Sequence, residues 1–220
     1  MFGRLARLWR RAAADVLPVA APPAPRPTLE SDARVIGLSA FDWCRQRRDR
    51  SALYSTLETQ AIAGLRKRHA DRMDGTIAAA ERVLRHQFDL LGSGTYVPRD
   101  PDRAASGYVP IDWYLDPVRR LRFPRGVPHK QWNLLEMRPQ NADIKYPWEL
   151  ARCQHWAVLG QAYQLSGDDR FAIEIARELD DFVEANPVGI GVNWTCTMDV
   201  GLRVVSWAIG LELVRMRGRH

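Results

Sequence analysis

The stretch PWELARCQHWAVLGQAYQL (residues 147–165), closed by Ser166-Gly167 and followed at once by DDRFAIEIARELDDFVEA (residues 168–185), decides the fold class. Pro147 suits the first turn of a helix, where a missing N–H costs nothing. Ser166-Gly167 is an ordinary helix stop. Asp168 is placed to cap the next helix, whose Phe171, Ile175, Leu179 and Phe182 recur on one face until Asn186-Pro187 halts it. Trp156-x-x-Leu159-Gly160-x-x-Tyr163 matches the opening of a tetratricopeptide repeat, but 34 residues on the equivalent positions are Ile190, Asn193, Trp194 and Thr197, and the period fails. The motif therefore reads as one helical hairpin that packs small against large residues.

Working outward, a third helix is expected over about Thr197–Arg217. Met198, Leu202, Val205, Ile209 and Leu213 form one apolar stripe and Val200, Val204, Trp207, Leu211 and Val214 another, which predicts a helix sandwiched between layers. Its narrow polar stripe, Asp199, Arg203 and Ser206, is expected to face a central cleft, as on the inner helix of a double-walled helical barrel. A surface pair between Asp199 and Arg203, worth a few tenths of a kcal/mol, is the alternative. Upstream, Ile77, Ala80, Val83 and Leu84 predict a helix over about Gly75–Gln87, and Leu53, Leu57, Ile62 and Leu65 one around Ser51–His69. Between them and the hairpin lies a poorly periodic region, Phe88–Pro147. It is too long for an ordinary connection, and Trp113, Tyr114, Phe123, Trp132 and Tyr146 mark it as an ordered loop region packed on the helices.

At the N-terminus, Met1–Leu17 reads as a basic amphipathic segment suited to weak contact with an anionic membrane surface, or as a frayed tail. The Pro/Ala-rich run Pro18–Pro27 is a semi-rigid linker. The organisation expected is a tail and linker over residues 1–30 and a helical domain over residues 31–220. No signal peptide or membrane-spanning stretch is visible, which makes a cytoplasmic location the default.

The composition, 46% apolar and 26% charged over 220 residues, is that of a globular chain. A net charge of +6 favours acidic partners. Arginine clusters such as Arg45, Arg47, Arg48 and Arg50, or Arg119, Arg120, Arg122 and Arg125, carry much of it; each is either an anion-binding patch or a solvated face. The three cysteines, Cys44, Cys153 and Cys196, are widely spaced and read as free thiols. The five histidines are scattered without Cys or His partners at ligand spacing, so no metal is expected. No phosphate-binding glycine loop occurs and no cofactor is expected. Nucleic acid is not the expected partner, since the aromatics do not interleave with the basic residues as in a recognised module.

Three blocks carry a resemblance. They are Phe88-Asp89-Leu90-Leu91-Gly92-Ser93-Gly94, then Asp143-Ile144-Lys145-Tyr146-Pro147-Trp148-Glu149-Leu150-Ala151-Arg152, then Asn186-Pro187 with Gly191-Val192-Asn193-Trp194 and Arg203. In order and spacing, over about Ala79–Arg217, they resemble the N-terminal domain of the heparinase II/III-like polysaccharide lyases, a bacterial family. The resemblance implies an all-α fold, an incomplete α/α toroid of helical hairpins with long ordered loops. It also implies a C-terminal antiparallel β-sandwich as partner, in cis or trans, and an anionic polysaccharide of glycosaminoglycan or alginate type, cleaved by β-elimination. That chemistry needs a group to neutralise the uronate carboxylate, a base for the C5 proton and an acid for the leaving oxygen. The family's Asn-Asn-His segment has no match here, so no catalytic residue is assigned. The chain is expected to bind substrate and to be inactive alone; the family habit would place it in the periplasm. A helical-hairpin scaffold or glycan-binding module without catalysis is the alternative.

Seven residues are the candidate substrate contacts: Lys145, Trp148, Glu149, Arg152, Asn193, Trp194 and Arg203. Trp148 and Arg152, at i and i+4, offer an aromatic platform and a bidentate cation, or else a core Trp with an Arg capping a carbonyl. Glu149 is placed to pair with Lys145 or Arg152 and orient them. Asn193 either faces a cleft with Trp194 or shapes a turn. Lys145 and Arg203 are candidate anion contacts. His155 is expected to be a satisfied, partly buried histidine.

Overall fold

A computed structural model describes residues 64, 67–68, 70–103, 107–133 and 138–217. The tail, the linker, the expected boundary near residue 30, Cys44 and nearly all of the expected helix at Ser51–His69 lie outside the described residues. The rest is mainly helical: α1 (Ala70–Leu84), α2 (Lys145–Ala151), α3 (His155–Ser166), α4 (Asp169–Ala185) and α5 (Thr197–Arg217), with one small hairpin of β1 (Leu115–Asp116) and β2 (Leu121–Arg122). The sequence expectation of an all-helical class with a long ordered loop region holds in this coarse form.

The α3–α4 hairpin forms as its residues dictate. Gly167 ends α3 in the left-handed conformation, with its N–H bonded to the Tyr163 carbonyl, and Asp168 caps α4 by accepting from the Arg170 N–H at 3.0 Å. Phe171, Ile175, Leu179 and Phe182 are buried. The α3–α5 crossing is close because glycines face it. A Cβ on Gly160 would come within 2.7 Å of Leu213 Cβ, and one on Gly210 within 2.8 Å of Trp156 Cβ. Above this contact Trp156 and Trp207 stack with ring centroids 5.5 Å apart. The small residue of the Trp156-Gly160 motif thus receives α5.

Two expectations are corrected. The continuous helix over residues 147–165 is two helices, broken at Cys153, whose φ of 55° is left-handed. Such a conformation costs a non-glycine residue about 1–2 kcal/mol. A continuous helix would pair the Ala151 carbonyl with the His155 N–H; instead the guanidinium of Arg203 donates to that carbonyl at 2.6 Å. A side chain from α5 therefore satisfies a group that a helix end leaves open.

The second correction concerns α5 itself. Its polar stripe does not face a cleft: Asp199 (1% exposed), Arg203 (2%) and Ser206 are buried against the rest of the fold. Asp199 and Arg203 also do not pair on the surface. Parts of both apolar stripes lie outside, with Met198 62% and Val205 55% exposed and Leu202 and Val204 uncovered too. Periodicity locates a helix's two faces, but the polar one wins the interior here because Asp199 meets the Arg152 guanidinium and Arg203 meets the Ala151 and Asn193 carbonyls there, while Ser206 bonds back to the Leu202 carbonyl of its own helix.

The loop region between α1 and α2 is tied down by two local pairings and one to the turn after α4. Bridges link Phe88 with Tyr96, Arg99 with Ile111 and Pro128 with Ile190. Ile111, Trp113, Tyr114 and Phe123 are core residues. Trp113 donates its indole N–H to Asp181 on α4 at 2.7 Å and meets Phe182 edge-on.

Candidate functional site

The second resemblance block builds the corner at which the site residues gather. The buried Asp116 carboxylate accepts from the N–H groups of Val118 and Arg119 with one oxygen, at 2.9 and 3.1 Å, and from the Asp143 N–H with the other, at 2.7 Å. One carboxylate thus shapes the hairpin turn and fastens it to the start of α2, on which β1 packs. Arg119 and Arg120 in that turn are exposed, and Arg120 takes a φ of 54°. Arg122 and Arg125 are different. Arg122 pairs with the buried Asp112, and Arg125 reaches Asp100 at 2.9 Å, so half of this arginine cluster is structural.

On α2, Lys145 is exposed. Trp148 is half-buried and donates its indole N–H to the Val192 carbonyl at 2.9 Å, tying α2 to the 3-10 turn Val192–Trp194. The Arg152 guanidinium bridges two carboxylates, Glu149 one turn back and Asp199 of α5 at 2.6 Å. Burial pulls the Arg152 pKa down, but Asp199 and Glu149 more than reverse this and leave it above the ordinary arginine value. Of the two pairings open to Glu149, the structure takes the one with Arg152. The second oxygen of Asp199, Oδ2, is buried with no hydrogen-bond partner.

The remaining three candidates sit behind this corner. Asn193 is buried and donates to the Trp113 carbonyl at 3.0 Å and to Asn186 Oδ1 at 2.9 Å, so it shapes the turn and links its block to Asn186. Gly191 before it has φ +91°, and a Cβ there would lie 2.3 Å from the Tyr114 hydroxyl, which is why this turn takes glycine. Arg203 donates to the carbonyls of Ala151 and Asn193, at 2.6 and 2.8 Å. Its guanidinium carbon lies 4.5 Å from the Phe182 ring centroid and 5.1 Å from that of Trp194. Burial pulls the guanidinium down to about 10, so it stays charged at neutral pH. The structure thus brings Lys145, Trp148, Glu149 and Arg152 together on α2 and places Asn193, Trp194 and Arg203 as the internal support of that corner.

Both described cysteines are free thiols: Cys153 is fully buried, and burial pushes it up to about 12, whereas Cys196 is only half-buried. An open concavity of about 550 Å³ lies elsewhere, lined by Arg99, Asp100, Arg103 and Tyr108 among others; none of the seven candidates borders it.

Sequence reasoning missed one polar cluster. His86 bonds Glu174 at 2.7 Å, His155 bonds Glu178 at 2.5 Å, and the Trp156 N–H donates to Glu178 at 2.7 Å, all inside the helical core. A signal was present. Glu174 and Glu178 are one turn apart on the same stripe as Phe171, Ile175, Leu179 and Phe182, and carboxylates on an apolar stripe imply buried partners. His155 is thereby the satisfied histidine that the sequence led us to expect.

Comparison with family models matches residues 38–211 to the family described as heparinase II/III N-terminus. Searches of curated proteins and of solved structures gave no match.

Proposed function

Since the chain belongs to the heparinase II/III N-terminal family, a family of polysaccharide lyases, we propose that it is the helical part that holds a uronate-containing anionic polysaccharide. One observation carries the reading beyond family membership: the Asp116 carboxylate fastens the turn bearing the exposed Arg119 and Arg120 to the start of α2, which bears Lys145, Trp148 and Arg152. Exposed cations beside a half-buried indole suit a polymer with carboxylates or sulfates along a chain of sugar rings. Lys145, Arg119 and Arg120 supply the charge and Trp148 the apolar surface. Arg152, already bonded to Glu149 and Asp199, engages an anion only by exchanging Glu149 for it. Asn193, Trp194 and Arg203 act from within, holding the 3-10 turn and the end of α2 in place.

In this reading the helices are part of an incomplete α/α toroid, and β-elimination is completed with groups of a β-sandwich domain in cis or trans. Alone, the chain binds and does not cleave. His155, three residues beyond Arg152, is turned inward to Glu178, and this favours a second reading, a glycan-binding module without catalysis. Two measurements separate the outcomes. Electrophoretic retardation in gels containing heparan or alginate is expected, weakened in Arg119→Ala/Arg120→Ala and in Trp148→Ala; unchanged retardation in both variants would sink the proposed face. Ultraviolet absorbance of unsaturated uronate is expected only when a β-sandwich partner is supplied. No absorbance with that partner present would leave the binding module and remove the lyase.

A further inference from the structure

The cluster of His86, Glu174 and Glu178 is a better ligand set than its sequence spacing suggests. Each offers one ligand atom, and these atoms all lie within 4.8 Å of one another. All three residues are buried, Glu178 completely. They come from separate elements: His86 from the turn after α1, the two glutamates from successive turns of α4. Two carboxylates in a buried site are costly unless compensated. The structure compensates Glu178 only in part. Its Oε2 accepts from the Trp156 indole and bonds His155, while its Oε1 is buried with no hydrogen-bond partner.

We propose that His86, Glu174 and Glu178 bind one divalent transition-metal ion of the zinc type. Imidazole nitrogen with carboxylate oxygen is a donor set that suits zinc, and the charge of the ion balances the two glutamates. Ligand atoms 2.0–2.2 Å from a tetrahedral zinc are separated by roughly 3.4 Å, so a modest inward closing of three side chains completes the site. His155 and the Trp156 indole hold the Glu178 carboxylate from behind, as outer groups commonly do for metal-bound carboxylates; His155 is a positioning residue. Aromatic rings shield the cluster, with Tyr108 edge-on to His86 at 5.3 Å and Phe88 edge-on to His155 at 5.0 Å. Histidine and cysteine spacing along the chain does not reveal such a site, because its ligands lie 88 residues apart and two are glutamates. The inference is independent of the polysaccharide reading; either can fail without the other.

The test uses the full chain, stripped with chelator and titrated with Zn2+ by calorimetry and with Co2+ by visible spectroscopy. One ion per chain is expected, with a cobalt spectrum free of thiolate charge transfer. Affinity should fall by at least about tenfold in His86→Gln and in Glu174→Gln, and by about tenfold in His155→Gln. No binding, binding unchanged in His86→Gln, or a thiolate signature pointing to a cysteine would each overturn the proposal. Should the variants not fold, imidazole nitrogen resonances of the unaltered protein decide. A zinc-induced shift of His86 is expected, and an unmoved His86 ring under saturating zinc overturns the site.

Discussion

Arg203 is where a surface role and an internal role predict opposite results. Replacing it by Met keeps most of the side-chain volume and removes the guanidinium. Two carbonyls, those of Ala151 and Asn193, then lose their donors at 2.6 and 2.8 Å. A buried polar group left unpaired costs about 1–3 kcal/mol. The contacts over Phe182 and Trp194 add about 1 kcal/mol. Against this stands relief from burying a charge, a cost visible in the lowering of the Arg203 pKa to about 10. The net expectation for Arg203→Met is a loss of about 3 kcal/mol in urea unfolding of the full chain, a fall in Tm of about 6–12 °C. Below that Tm, glycan retardation per folded molecule should change less than about threefold, a shift under 1 kcal/mol. A variant within about 0.5 kcal/mol of the parent that has lost retardation would refute the reasoning and make Arg203 a ligand contact.

Other outcomes follow from the same geometry. Gly210→Ala, whose Cβ would press on Trp156, should cost about 1–3 kcal/mol in urea midpoint measurements, while Gly201→Ala, with nothing within 4 Å, should gain about 0.5–1 kcal/mol. Val205→Lys on the exposed face of α5 should change stability by no more than about 0.5 kcal/mol; a loss above about 2 kcal/mol would show that the face is covered. Burial raises the Asp100 pKa, but hydrogen bonds from Arg103, the Asp102 N–H and Arg125 outweigh it and hold the carboxyl below its ordinary value. Its contribution is therefore present above the unfolded carboxylate value, about 3.9, and is lost as pH falls through the lower folded value. Asp100→Asn should flatten the acid limb of the stability curve, and an unchanged limb would count against the network.

The hairpin was legible because its signals are local. Ser166-Gly167, Asp168 and the Phe171 stripe each act within one or two turns, and each stands where the sequence puts it. The break at Cys153 was not legible, since the compensating donor, Arg203, comes from another helix. The orientation of α5 was hidden for a related reason. A stripe of Asp199, Arg203 and Ser206 reads as solvent-facing until the Ala151 and Asn193 carbonyls and the Arg152 guanidinium are seen to meet it. The candidate site divides along the same line. Trp148, Glu149 and Arg152 were recognisable as neighbours on one helix face, whereas the Asp116 carboxylate that brings the arginine turn to them acts through a contact 27 residues long in sequence.

Isothermal titration of the full chain with a uronate polymer and with its carboxyl-reduced counterpart tests the central claim most directly. The account predicts binding of the uronate form, weakening as salt rises and lost on reduction of the carboxyls; equal binding of both forms, or of neither, would contradict it.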